Sequence, residues 1–321
     1  MSTHHTLRAS PETCHWGFFD SALKPVLTVA SGDTVSVDCV SGQPEVMPTD
    51  ERFHVPPELR AIHATLPQPA GGGHILTGPI AVEGAEPGDT LEIRIREIEL
   101  RQNWAYTRIG PLRGTIPEDF PVRKMWHTAI DRQRGIGTTP IGIEIPLAPF
   151  FGVMGVAPQP AYGRVTTIVP REFGGNLDLK ELVAGTTLYL PVFTRGANFS
   201  VGDGHAVQGD GEVCITALET ALGGTFEFIL RKDLHLDMPR AETPTHWISV
   251  GLDEDLDDAA KQALRQMIRL MHELAGLAPE DAYMLCSLGV DFRVTQLVDG
   301  NKGIHGMLPK SLIAGRLGAH A

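Results

Sequence analysis

The stretch Gly88-Asp89-Thr90-Leu91-Glu92-Ile93-Arg94-Ile95-Arg96-Glu97-Ile98 decides how this chain is read. A glycine turn and a small polar residue come first. Apolar side chains then alternate with charged ones at 91, 93 and 95. A period of two marks a half-buried β-strand. The phrase returns at Gly32-Asp33-Thr34, ahead of Val35, Val37 and Cys39. It returns more weakly at Gly185-Thr186-Thr187, ahead of Leu188, Leu190 and Val192. Either a repeated β unit or a common strand opening used three times accounts for the echoes. The 35 glycines and 24 prolines exceed the usual share and show no collagen period, so many short strands and turns are expected. Between about 110 and 170, Pro140, Pro146, Pro149, Pro158 and Pro160 cut the chain into short strands joined by turns.

The tail is built differently. Asp253, Asp255, Asp257 and Asp258 stand where carboxylates favour a helix N-terminus, and Gly276 is placed to end the helix. Between them Leu256, Ala260, Leu264, Met267, Ile268, Met271 and Leu274 recur at helical spacing. The pattern predicts a helix of about 20 residues, whose methionine stripe is core or subunit interface. A shorter helix is expected over 279–287 and a strand over 290–298. The fold class is therefore α+β and β-rich, with strands in sandwich- or barrel-like parts and helices concentrated toward the C-terminus. One domain over 1–321 is expected, with room for two β-rich subdomains at about 1–110 and 111–321.

Composition narrows the partners. The 321 residues carry 27 Lys+Arg against 39 Asp+Glu, a formal net charge of −12. That balance disfavours nucleic acid and anionic membranes. Aromatic residues are only 6 %, which argues against stacking on single strands. Cys14, Cys39, Cys214 and Cys286 make no CxxC pair, so a reduced, cytoplasmic chain is expected. The polar Met1–Ser10 stretch lacks the apolar core of a signal peptide, and no run of about 18 apolar residues predicts a membrane span.

The densest chemistry lies in Gly202-Asp203-Gly204-His205-Ala206-Val207-Gln208-Gly209-Asp210-Gly211-Glu212. Asp203 and His205 are two apart, so an extended backbone puts both on one face; the same holds for Asp210 and Glu212. Carboxylate and imidazole together suit zinc or another divalent metal, which the two pairs could hold if the glycine loop lets them converge on one point. The plainer reading is an acidic glycine turn between strands. Residues 213–219 read as a strand with Glu212, Cys214 and Thr216 on one face and Glu219 on the other. There Cys214 is a small buried hydrophobe and not a nucleophile. Gly174-Gly175-Asn176 with Asp178 offers donors to an oxyanion or, equally, a tight turn. His74 beside Gly71-Gly72-Gly73, and His15 with Asp20, are lesser candidates. No G-x-S-x-G elbow, P-loop or dinucleotide fingerprint occurs.

Several phrases in order resemble the acetamidase/formamidase family. They are Thr77-Gly78-Pro79-Ile80 through Gly88-Asp89, then Gly152-Val153-Met154-Gly155-Val156-Ala157-Pro158, then Gly174-Gly175-Asn176 with Asp178. Gly202 to Glu212 and Asp281-Ala282-Tyr283-Met284-Leu285 complete the set. The match covers roughly residues 7 to 312. It implies hydrolysis of short aliphatic amides to carboxylate and ammonia, a divalent metal (zinc, with calcium as the other choice), and a homodimer or homotetramer. By carry-over, Glu212, Asp203 and His205 become catalytic candidates and Asp203, His205 and Asp210 metal ligands, with Asn176, Gly175 and Asp178 beside the substrate. Glu212 is the expected proton carrier. Ile215 stands where the resembling phrase has glycine, which implies a bulkier pocket wall. Two other readings stay open: a hydrolase of another C–N bond, such as a carbamate or larger amide, and a noncatalytic β-rich binding protein.

Overall fold

The three strands that open after glycine turns, Thr34–Asp38, Thr90–Leu100 and Thr187–Pro191, all lie in one sheet. Val35, Val37, Leu91, Ile93, Ile95, Leu188 and Leu190 are buried there, as their alternation predicts. The computed structural model describes residues 2–317. Among the described residues that first sheet has nine strands. Leu222–Arg231 sits between Thr34–Asp38 and Thr90–Leu100, antiparallel to both. A second, eleven-stranded sheet is centred on Phe199–His205. That strand pairs with Phe150–Gly155, Ile75–Val82 and Glu219–Thr220.

The sheets pack face to face through aromatic rings. Phe199 of the second sheet lies 6.0 Å from Phe226 and 5.3 Å from Phe228 of the first, ring centre to ring centre, and Phe151 lies 5.5 Å from Phe226. Burying such rings dominates core energetics. Both sheets take strands from both halves of the chain: Cys14–Trp16, Leu27–Val29 and Ile75–Val82 join the second sheet, while Leu222–Arg231 joins the first.

The proline-rich region forms short strands, Lys124–Asp131, Ile136–Thr138 and Glu144–Pro146, at the far edge of the second sheet. The late helix runs over Leu256–Ala275. Asp255 caps it by accepting from the backbone N–H of Asp257 and Asp258, and Gly276 ends it in the left-handed region at φ 61°. Met267 and Met271 are fully buried with Leu270 and Leu308. A Cβ on Gly251 would lie 2.1 Å from the Ala259 carbonyl oxygen, so glycine is what lets this helix press onto the strand His246–Asp253. The shorter helix covers Pro279–Gly289 and the following strand Asp291–Gln296. No helix among the described residues is long and apolar enough to cross a membrane.

Candidate active site

Asp203 and His205 project from the end of the strand Phe199–His205 onto one buried point. Extended backbone puts them on one face, although Asp203 takes φ 57°. His205 Nε2 lies 3.2 Å from Asp203 Oδ2 and 3.4 Å from Glu219 Oε2. Glu219 arrives because Glu219–Thr220 pairs with the same strand, His205 directly opposite Glu219. On the other side of the ring, Nδ1 lies 3.0 Å from Gln208 Oε1. Gln208 Nε2 donates to the Asp178 carbonyl, so Oε1 must accept and Nδ1 must carry the hydrogen. Nε2 is thereby turned toward the two carboxylates.

Asp178 reaches the point from beyond the strand Gly174–Asn176, at φ 49°, and Glu212 reaches it at φ 42°. One ligand atom each from Asp203, His205 and Glu219 lie within 4.8 Å of one another, and so do those of Asp178, His205 and Glu212. The neighbouring strand makes room. A Cβ on Gly152 would lie 2.5 Å from Asp178 Oδ1, 2.6 Å from Asp203 Oδ2 and 2.7 Å from His205 Cε1. Asp299, from the turn after Asp291–Gln296, adds a further buried carboxylate.

So many acids in one dry place perturb each other. Burial pushes Asp178, Glu212 and Glu219 well above the usual carboxylate range, and neighbouring carboxylates reinforce this in each. Burial also raises Asp299, to about 7. Asp203 goes the other way: burial opposes its charge, but His74 and His205 outweigh burial and hold it low. His205 is likewise opposed by burial, yet Glu219 and Asp203 raise it to about 9.

A cleft of about 290 Å³ opens over Asp203 and Glu219. His74, following the loop Gly71–Gly73, forms part of its wall, with Nε2 3.7 Å from Asp203 Oδ2. Ile215, Thr216, Tyr106 and Asp299 also face it.

Several expectations need correction. Residues 213–218 are not strand, and only Glu219 at the end of the run is. Glu212 and Ile215 both have positive φ, and Thr216 Oγ1 bonds to the backbone N and O of Arg108, so the segment turns. Glu212 and Glu219 therefore converge instead of lying on opposite faces. Cys214 is half-buried in that turn, outside the cleft. Asp210 and Glu212 diverge across Gly211: Asp210 is exposed, 2.8 Å from Lys180 Nζ, in a separate group with Glu181 and His305. Asn176 and Gly175 are buried in a strand contact. Asn176 Nδ2 donates to the Ile168 carbonyl, and neither residue lines the cleft. Glu219, Asp299 and Tyr106 had no local signal; strand pairing brings in Glu219 and Tyr106, and the turn after Asp291–Gln296 brings in Asp299. His15 bonds Ser200 Oγ at 3.1 Å, away from the cluster.

The comparisons with known proteins converge on one group. A model of the Acetamidase/Formamidase family matches residues 3–164 and 161–313. An acetamidase of Mycolicibacterium smegmatis is 28 % identical over 242 residues, 56 % of this chain and 56 % of that protein. The chain spans about half the length of the curated relatives it matches. Among solved structures, a predicted acetamidase/formamidase from Thermoanaerobacter tengcongensis superposes with TM-score 0.86 at 26 % identity, over 98 % of this chain and 99 % of that one. An acetamidase from Bacillus halodurans gives 0.83 at 29 %, over 97 % and 99 %. With the fold shared end to end and both family segments matched in order, this chain belongs to the acetamidase/formamidase family.

Proposed function

We propose that this chain hydrolyses the C–N bond of linear carboxamides, with acetamide and formamide as the simplest cases, to a carboxylate and ammonia. The observation that carries the reading is the buried group of Asp203, His205 and Glu219 at the floor of an open cleft, in a chain of this family. The names of the relatives support the amide as substrate.

A divalent cation, zinc first and calcium second, belongs to the reading. The donor set fits one. Nε2 of His205 is turned toward two carboxylates, and the space at Gly152 would be filled by a single Cβ. Among the described residues, Glu219 Oε2 and both carboxylate oxygens of Asp178 have no hydrogen-bond partner. Asp203, His205 and Glu219 would hold the ion. Bound there, it would polarise the amide carbonyl and acidify a water.

The chain's own residues do the rest. Gln208 fixes the His205 ring and its tautomer. His74 is the donor the wall presents to the amide oxygen. Glu212, which does not line the cleft itself but is grouped with Asp178 and His205, takes the water proton and delivers it to the leaving nitrogen. Amide nitrogen leaves poorly as an anion, so this delivery is required. The same reading has the chain acting as a cytoplasmic homodimer or homotetramer. Four free cysteines suit a reducing compartment, and Tyr283, Met284 and Leu288 leave apolar surface exposed on Pro279–Gly289.

The test is ammonia release from formamide, acetamide and propionamide, as isolated, after chelation and after zinc is restored. Chelator-sensitive turnover recovered by zinc is expected. Glu212→Gln should lower kcat by about 10²–10⁴-fold while metal stays bound. Near-full turnover of that variant would remove Glu212 from the proton path.

A further inference from the structure

The cleft is larger than a two-carbon amide needs. Its volume is about 290 Å³, against roughly 30 Å³ for one water in the liquid. Acetamide has four heavy atoms, so most of the cleft is left for another part of the substrate. The lining of that remainder is polar and carries two guanidinium groups, Arg108 and Arg113.

The two arginines differ in a useful way. Arg108 is fixed: Nη2 donates to Gln43 Oε1 at 2.9 Å, and Nη1 lies 3.6 Å from Glu45 Oε1. The Arg113 guanidinium makes no hydrogen bond or ion pair among the described residues. Its backbone is nevertheless placed. Arg113 N bonds Gly110 O, and Thr115 N bonds Val213 O at 2.9 Å, which ties this loop to the turn that walls the cleft. The cleft is therefore bipolar. Carboxylates lie at the floor with Asp203 and Glu219; at the exposed rim Glu45 is matched by Arg108, and the Arg113 guanidinium is left without a partner among the described residues.

We propose that the cleft recognises carboxamides bearing a carboxylate at their other end, that is, half-amides of short dicarboxylic acids. The proposal rests on the amide-hydrolysis reading above. A guanidinium fork matches a carboxylate in plane and charge. The floor acids repel that carboxylate, so the molecule enters with its uncharged amide toward Asp203 and its charge toward Arg113. Hydrolysis then breaks the C–N bond and forms a C–O bond to water. One of the water's hydrogens goes to the nitrogen, which leaves as ammonia; the other is released as a proton that the ammonia takes up in solution, and a dicarboxylate and ammonium remain.

The experiment compares kcat/KM for succinamate and for succinamide, counted per amide group, in the metal-loaded protein. They are nearly isosteric and differ in charge. Succinamate is expected to be preferred at least tenfold. Arg113→Gln should remove that preference, and Arg113→Lys should restore part of it. A wild-type ratio at or below one, or a ratio unmoved by Arg113→Gln, overturns the proposal. Turnover of acetamide by the wild type tests the amidase reading separately. If no amide is hydrolysed, binding still decides the matter. Succinate should raise the unfolding midpoint more than propionate does, and Arg113→Gln should abolish the difference; equal effects of the two acids overturn it.

Discussion

At Gly152 a hydrogen is all that the space allows. An added Cβ would fall within 2.7 Å of three site atoms, which belong to Asp178, Asp203 and His205. Gly152→Ala is expected to cut amide turnover at least ~100-fold and to lower metal content, with a stability loss of about 1–3 kcal/mol from overpacking. Ammonia release, elemental analysis and a urea titration check it; an alanine variant with wild-type turnover and metal would place the reacting point elsewhere. Ile215 is the second telling residue. It is β-branched, sits at φ 67° and faces the cleft. Left-handed backbone there costs roughly 1–2 kcal/mol, and the Thr216–Arg108 bonds hold it in place. Ile215→Gly is expected to leave the unfolding midpoint no lower, since relieved strain offsets lost burial. It should also raise kcat/KM for butyramide relative to acetamide about tenfold or more. An unchanged ratio would mean that the side chain does not limit the acyl group.

At the scale of elements, local rules hold where local forces decide. The helix Leu256–Ala275 begins and ends where its cap residues stand, because Asp255 satisfies two N–H groups and Gly276 accepts a left-handed φ. Asp255→Ala should cost about 1 kcal/mol in a denaturant titration. The surface change Lys261→Ala should stay within about 0.5 kcal/mol. A cap variant with no measurable loss would mean that tertiary packing alone holds the helix end. The strand Thr90–Leu100 was legible for the same reason: alternation is a property of neighbouring residues. Residues 213–219 were not. Their apolar run resembles a strand, but Thr216 is bonded to Arg108, more than a hundred positions away. A distant bond overrode local preference. The Asp210/Glu212 pair failed similarly, because Gly211 at φ 93° breaks the alternation that would have kept them together.

At the scale of the whole molecule, His15 reports on packing around the second sheet. Its strand Cys14–Trp16 pairs with Ile75–Val82, and its Nε2 lies 3.1 Å from Ser200 Oγ on Phe199–His205. Burial pushes its pKa down to about 4, from about 6.5 in the unfolded chain. The unfolded state therefore binds the proton first. His15's contribution is complete above about pH 6.5 and is lost as pH falls from 6.5 toward 4. Between pH 7.5 and pH 5 the loss is about 2 kcal/mol. Urea midpoints of wild type and His15→Gln across that range should differ in slope by this amount; parallel curves would contradict it.

Features that neighbouring residues control could be read from the chain directly. The alternating strands, the capped late helix and the one-sided placement of Asp203 and His205 all follow from periods of two and 3.6 and from cap chemistry. The order of family phrases was also readable, since it needs no geometry. Which acids meet was settled by long-range packing. Glu219 joins His205 by strand pairing, Asp299 arrives from a turn near the C-terminus, and Asp210 leaves for another cluster. Carboxylates repel one another at any separation in the chain. They share one dry point only because two packed sheets hold their backbones there, and that arrangement is a property of long-range packing that no local pattern encodes.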